Sequence, residues 1–303
     1  MRNCFSETLY KIAKKDPNVF IVVSDISPAG SMAKFREEYP ERFINVGVAE
    51  QSMIGICAGL ALRGKKPFAY TIATFSIYRP FEMIRDDLCY QNLPVTVVGI
   101  GGGVIYSTLG GTHHAQEDIA VMSAIPNMSV IAPCDPLETE AATYQCGQNT
   151  GGPIYLRLGK AGEPNLTSKA VDPFVFGKIR YIQKGTDVCL LTYGPVAKKA
   201  VEVAEKLSSQ GQSVSVVSVH TLKPLDVAGI ADALKNHKKV IVLEEHSTIG
   251  GLASQVKQVA WDHKASCELK TYSLKDEFIH LYGSHDELLA AHGVSVEHVM
   301  REI

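Results

Sequence analysis

Short, β-branched, nearly uninterrupted apolar runs recur along this chain, and the gaps between them are long enough for a crossover helix. Residues 18–24 (NVFIVVS), 67–72, 94–99, 128–132 and 153–158 read as strands, and helical patterns fill 80–90, 115–124 and 136–145. Strands that are apolar on both faces and joined by helices belong to a parallel sheet covered on two sides. From Gly159 to Lys178 the pattern lapses into Pro, Gly and small polar residues. It then resumes with DVCLLTY, SVSVVSV, KVIVLEE and CELKTYSL, with helices starting at Pro195 and Gly250. A chain of 303 residues exceeds what one growing core holds,. The expectation is an α/β fold of two consecutive parallel or mostly parallel sheet domains flanked by helices, with residues 1–165 first, a linker at 166–178, and 179–303 second.

Composition narrows the partners. The formal net charge is −2 and Lys and Arg do not cluster, so nucleic acid is not expected,. The longest apolar stretches, such as residues 53–62, are too short for a bilayer and are broken by Gly, so no membrane partner is expected,. Residues 1–16 form an amphipathic helix pattern with Phe5, Leu9 and Ile12 on one face and lack the apolar core of a signal peptide,. Seven cysteines without CxxC spacing read as reduced thiols of a cytoplasmic protein, with no metal site,.

Three segments carry chemistry. In RFINVGVAEQSMIGICAGLALRG (residues 42–64), one acid, Glu50, stands where an apolar run turns into a helix of small residues. An acid there can simply serve a helix N-terminus. It can also be a buried carboxylate aimed at a ligand, with its pKa raised by desolvation. The loop GIGGGVIYSTLGGTHHAQED (residues 99–118) holds six glycines and ends in His113 and His114. It follows a strand, which is where parallel sheets bind ligands, but it fits neither the dinucleotide nor the P-loop spacing. Adjacent histidines without a third ligand are a poor zinc site. Glu117 and Asp118 read as acids of a helix first turn. Phe75 and Tyr78, three apart after a strand, read as core or as the wall of a site.

Taken in order, NVGVAEQSMIG, ATFSIYRPFEMIR, GGTHHAQEDIAVMSAIPNMSVIAPCDPLE and GGPIYLRLGK resemble the pyrimidine-binding domain of transketolase. HTLKPLD (residues 220–226) and VLEEHSTIGGLASQV resemble the transketolase C-terminal domain, so the resemblance covers essentially the whole chain. It implies thiamin diphosphate as cofactor. The family's diphosphate domain, with a GDG motif that holds Mg²⁺, has no counterpart in this sequence. The resemblance therefore implies a separate N-terminal subunit carrying the metal, with two copies of each chain, and activity only in that complex.

The resemblance also assigns roles. Glu50 matches the glutamate that hydrogen-bonds the cofactor's pyrimidine, Phe75 and Tyr78 the aromatics packed on that ring, and Asp25 an acid near the cofactor. His113 matches a histidine that contacts donor-sugar oxygens, and Arg2 and Arg157 match arginines that bind sugar phosphate. The implied reaction moves a two-carbon ketol unit from a ketose to an aldose. Three positions depart from the family pattern. Leu109 replaces an Asp that reads a donor hydroxyl, Gly101 a phosphate-contacting histidine, and Ala29 a serine. These departures suggest an unusual sugar and an acceptor that is non-phosphorylated or differently sized. Two other readings stay open: a synthase of the deoxyxylulose-phosphate kind using a 2-oxoacid donor, and a non-catalytic binding or regulatory subunit of the same fold.

Overall fold

The computed structural model describes residues 1–26 and 30–303, so Ala29 lies outside the described residues. The first half runs α1 (Arg2–Lys15), β1 (Val19–Val23), α2 (Ser31–Glu38), β2 (Phe43–Asn45), α3 (Glu50–Leu62), β3 (Lys66–Ile72), α4 (Ala73–Ile77), α5 (Phe81–Met83, continued by a π-helical turn Ile84–Tyr90), β4 (Thr96–Ile100), α6 (Asp118–Ala124), β5 (Ser129–Ile131), α7 (Pro136–Gly147) and β6 (Ile154–Leu158). The second half runs β7 (Arg180–Gln183), β8 (Val188–Thr192), α8 (Ala197–Ser209), β9 (Val214–Ser218), β10 (Thr221–Lys223), α9 (Val227–Asn236), β11 (Lys239–Ser247), α10 (Leu252–Asp262), β12 (Glu268–Leu274), α11 (His285–Ala291) and α12 (Val296–Glu302). No helix among the described residues is long and apolar enough to cross a membrane.

Two sheets result, as the alternating pattern predicts. The first has seven strands in the order β10-β5-β6-β4-β3-β1-β2 and the second five in the order β12-β11-β8-β9-β7. Every pair is parallel except β10 with β5 and β7 with β9. The central strands β4, β6, β8 and β9 are buried at every position, which is why they read as unbroken apolar runs,. The helix expected over 115–124 begins only at Asp118, because Gly103 and Ala115 exchange two backbone hydrogen bonds that close the glycine loop beneath it.

The two halves are tied together more closely than a linker suggests. β10 belongs by sequence to the second half, yet it pairs with the edge of the first sheet, and Lys223 Nζ donates to the carbonyls of Ser123 and Ile125 at the end of α6. The segment 166–178 is pinned. Asp135, the N-cap of α7, accepts from the Leu166 and Thr167 amides and from the Thr167 hydroxyl, while Phe174 stacks on His220 at 4.1 Å.

A charged cluster crosses the seam between the halves. Arg157 on β6, 2% exposed, donates from Nε to Asp118 Oδ2 at 2.7 Å and from Nη2 to the Glu245 carbonyl at 3.0 Å. Burial works against its charge, but Asp118 and its other neighbours outweigh that and raise its pKa further. Glu245 Oε1 accepts from the Val104 amide at 2.6 Å and pairs with His285 Nε2 at 2.8 Å. Burial pushes the Glu245 carboxyl up, but His285 and Arg157 more than offset this and lower it below 4.5. Burial pushes the His285 imidazole down, and Glu245 outweighs it to raise the imidazole above 6.5.

Arg157→Met strands the buried Asp118 carboxylate. It should cost about 3–5 kcal/mol, read as a lower urea midpoint, and Asp118→Asn added to it should recover part of the loss. The Glu245–His285 pair has a defined pH window. A raised histidine stabilises fully below 6.5 and is lost as pH climbs through its folded pKa, and a lowered carboxylate stabilises above 4.5 and is lost as pH falls,. The stability difference between wild type and His285→Gln should therefore be greatest between pH 4.5 and 6.5 and shrink at alkaline pH in thermal melts.

Candidate active site

Because β1 to β6 are mutually parallel, their carboxyl ends share one edge of the first sheet, and β1 to β4 each hand a side chain to that edge,. Asp25 follows β1, Glu50 follows β2, Phe75 follows β3, and the loop bearing His113 follows β4. Asp25 is exposed and adopts φ +41°, a conformation costly for a non-glycine residue that clusters at functional edges,. Ser24 ties the ends together, since its hydroxyl donates to the Gly47 carbonyl at 2.7 Å and its carbonyl accepts from Thr71 at 3.2 Å. The turn leading to Glu50 is thereby locked to β1 and β3.

Glu50 is the first residue of α3 and is 6% exposed, which sets a buried carboxylate at the positive end of the helix dipole,. Its partner is Arg79, whose Nη1 donates to Oε1 at 2.9 Å. The Arg79 guanidinium also lies over the Phe75 ring, 4.5 Å from its centroid. Phe75 in turn meets the His113 ring edge-on at 5.1 Å. Glu50, Arg79, Phe75 and His113 thus form one continuous row.

His113 is half-buried, and burial lowers its pKa, which favours the neutral ring. Thr112 Oγ1 lies 2.9 Å from Nδ1, which leaves Nε2 to meet a ligand. His114 is buried within the loop and does not share the surface of His113. Tyr106 stands 6.1 Å from the His113 ring, with Lys160 Nζ 5.3 Å above its face. Its ring fills the space that a side chain at residue 101 would need, because a Cβ on Gly101 would collide with it. Burial raises the Tyr106 phenol, and the charge of Arg2 opposes this. Arg2 is anchored by its amide to the Lys160 carbonyl at 3.0 Å, and its buried Nε has no protein partner.

The expected residues do not all converge. Tyr78, three residues from Phe75, packs on the core and donates its hydroxyl to Glu117 Oε2 at 2.8 Å, and burial raises its pKa. Arg157 does not reach the row, since its guanidinium is consumed by Asp118 and Glu245. In this structure it bridges the two halves, from β6 to the start of α6 and to β11. Leu109 is 49% exposed at the rim of the loop. Arg79, Tyr106 and Lys160 were not singled out from the sequence; Arg79 sits in YRPFEMIR directly after the aromatic pair. A cleft of about 410 Å³ lies elsewhere, between Lys160, Pro195, Lys199 and His285, and includes neither Glu50 nor His113.

The chain matches known proteins end to end. Residues 1–163 match the family described as transketolase, pyrimidine binding domain, and residues 177–299 match transketolase, C-terminal domain. It is similar to a subunit of the apulose-4-phosphate transketolase of Phocaeicola vulgatus, 31% identical over 99% of this chain and 95% of that protein. It is also similar to a 6-deoxy-6-sulfo-D-fructose transketolase subunit of a Clostridium species, 32% identical over 99% of this chain and 92% of that one. Among solved structures it superimposes on a split-gene transketolase, described as an inactive β4 tetramer, with a TM-score of 0.87 and 32% identity over 99% of this chain and 95% of that one. The row from Glu50 to His113 thus lies in a pyrimidine-binding domain, and this chain belongs to the transketolase family.

Proposed function

We propose that the protein is the C-terminal subunit of a split transketolase-type transferase, moving a two-carbon ketol unit from a ketose to an aldose. The observation that carries this reading is the buried Glu50 carboxylate at the start of α3, in one row with the Phe75 face and the His113 ring. That arrangement fits the pyrimidine of thiamin diphosphate. A flat heteroaromatic needs a carboxylate facing its ring nitrogen and a ring face to lie on. When bound, the cofactor supplies the carbon nucleophile and the electron sink. Glu50 would hold the proton at the pyrimidine nitrogen, Phe75 would carry the ring, and Asp25 would border it. His113 Nε2 would hydrogen-bond the donor's oxygens.

The diphosphate and Mg²⁺ are assigned to a separate N-terminal subunit, because the relatives this chain matches over nearly their whole length are named as transketolase subunits or as a split-gene transketolase. Two copies of each chain are the proposed assembly. The split relative's tetramer of β chains and the outward face of α3 support it. There Ser52, Gly55, Ile56 and Gly59 are exposed, and a Cβ added at either glycine meets nothing within 4 Å. Seven free thiols, with Cys57, Cys89, Cys134, Cys146 and Cys189 buried, support a cytoplasmic location,.

The relatives are named for a sugar phosphate and a sulfonated sugar. Arg2, with its unpartnered Nε, and Lys160 beside Tyr106 would receive such a terminal anion,. The substrate proposed is accordingly a ketose with a phosphate or sulfonate at the end remote from the carbonyl, with Leu109 shaping donor choice.

Glu50→Gln should lower kcat of the assembled complex by roughly 10²–10⁴-fold with assembly intact by gel filtration, and unchanged turnover would sink the catalytic reading. Carbon dioxide released from pyruvate would favour the 2-oxoacid synthase instead. Arg2→Leu should raise KM for the anionic sugar by about 10–150-fold, the loss of one charge-assisted contact, while leaving KM for the neutral analogue unchanged.

A further inference from the structure

The Glu50 carboxylate and the Phe75 face are already engaged by one side chain of this protein. Glu50 accepts from Arg79 Nη1 at 2.9 Å, and the same guanidinium lies 4.5 Å from the Phe75 centroid. It is flat, it donates N–H to the buried carboxylate, and it covers the aromatic face, which are the contacts a protonated aminopyrimidine would make. We propose that Arg79 is a built-in stand-in for the cofactor's pyrimidine, so that cofactor binding must displace its guanidinium from Glu50 and Phe75. The inference rests on the thiamin reading of this site.

The geometry allows the exchange. The Arg79 side chain is 48% exposed and follows the last turn of α4, so it can swing into solvent, whereas Glu50 is fixed at the start of α3. The contact also has a purpose in the empty subunit. A carboxylate of 6% exposure with no partner would be costly, and Arg79 removes that cost until the ring arrives,. Its hold is weak enough to be reversible, because an ion pair with one exposed partner and a cation–π contact are each modest. Arg79 is accordingly a positioning residue. It keeps Glu50 aimed along the row and sets a threshold that the cofactor must overcome.

The test is calorimetric titration of thiamin diphosphate with Mg²⁺ into the complex of this chain with its N-terminal subunit, for wild type, Arg79→Met and Arg79→Lys. Met keeps the length but neither donates to Glu50 nor competes as a cation for Phe75. Its complex should bind the cofactor about 3- to 30-fold more tightly. Lys keeps the charge without the planar fork and should fall between the two. A second probe, 4-amino-5-hydroxymethyl-2-methylpyrimidine titrated into this chain alone, should show the same order, free of any contribution from the partner. Circular dichroism melts confirm that each variant is folded. Equal or weaker binding by folded Arg79→Met, with wild type binding normally, overturns the stand-in and leaves the thiamin reading untouched. No cofactor binding by any complex overturns both.

Discussion

Arg157 and Asp118 form the contact on which the placement of the site depends. Both are buried, so each alone would be strongly unfavourable in the interior, and together with the Tyr155 hydroxyl and the Glu245 carbonyl they satisfy one another,. Asp118 opens α6, Arg157 sits on β6, and Glu245 sits on β11. The loop from Gly101 to Gln116 hangs between these anchors. Glu245 holds it at Val104, and a Cβ on Gly103 would collide with the Glu245 carboxyl. His113 owes its position to this clamp as much as to its own neighbours.

The rest follows from strand direction. A parallel sheet gathers the ends of widely separated segments onto one edge, and a helix that starts there presents its N-terminus to whatever binds. Glu50 uses that arrangement directly. The small residues behind it serve a second end, since Gly55 and Gly59 keep α3 free of bulk on its outer side while Met53, Ile54 and Cys57 fill the core on the inner side. One short helix thus divides its faces among the core, the carboxylate and the surface proposed for another subunit.

Both sheets were legible because the buried strands are nearly continuous Val and Ile runs whose lengths match what a covered strand needs. The burial of Glu50 at the start of a helix was an open expectation because a lone acid at a strand-to-helix junction is locally unusual. Arg157 was not, since an arginine at the end of a strand reads the same whether it faces a phosphate or a buried aspartate. Its partner Asp118 looked like any acid of a helix first turn. Tyr106 and Arg79 escaped notice because what defines them is a through-space neighbour. One needs Gly101 to make room, and the other needs Glu50, 29 residues earlier. β10 is three residues long and pairs with a strand some 90 positions away by simple count, Val130 to Lys223, so no local pattern announces it.

β10 also decides where a polypeptide of this kind can be divided. Its hydrogen bonds cover the β5 edge of the first sheet, so the half that carries the row from Glu50 to His113 has a finished border only while the second half is attached. A break between the sheets would leave β5 open to any strand that reached it, including β10 of another copy. Exchange of second halves between molecules, or aggregation, would compete with correct closure. Recombination can therefore shuffle this pair of sheets as one cassette, but it cannot deal the two sheets out separately.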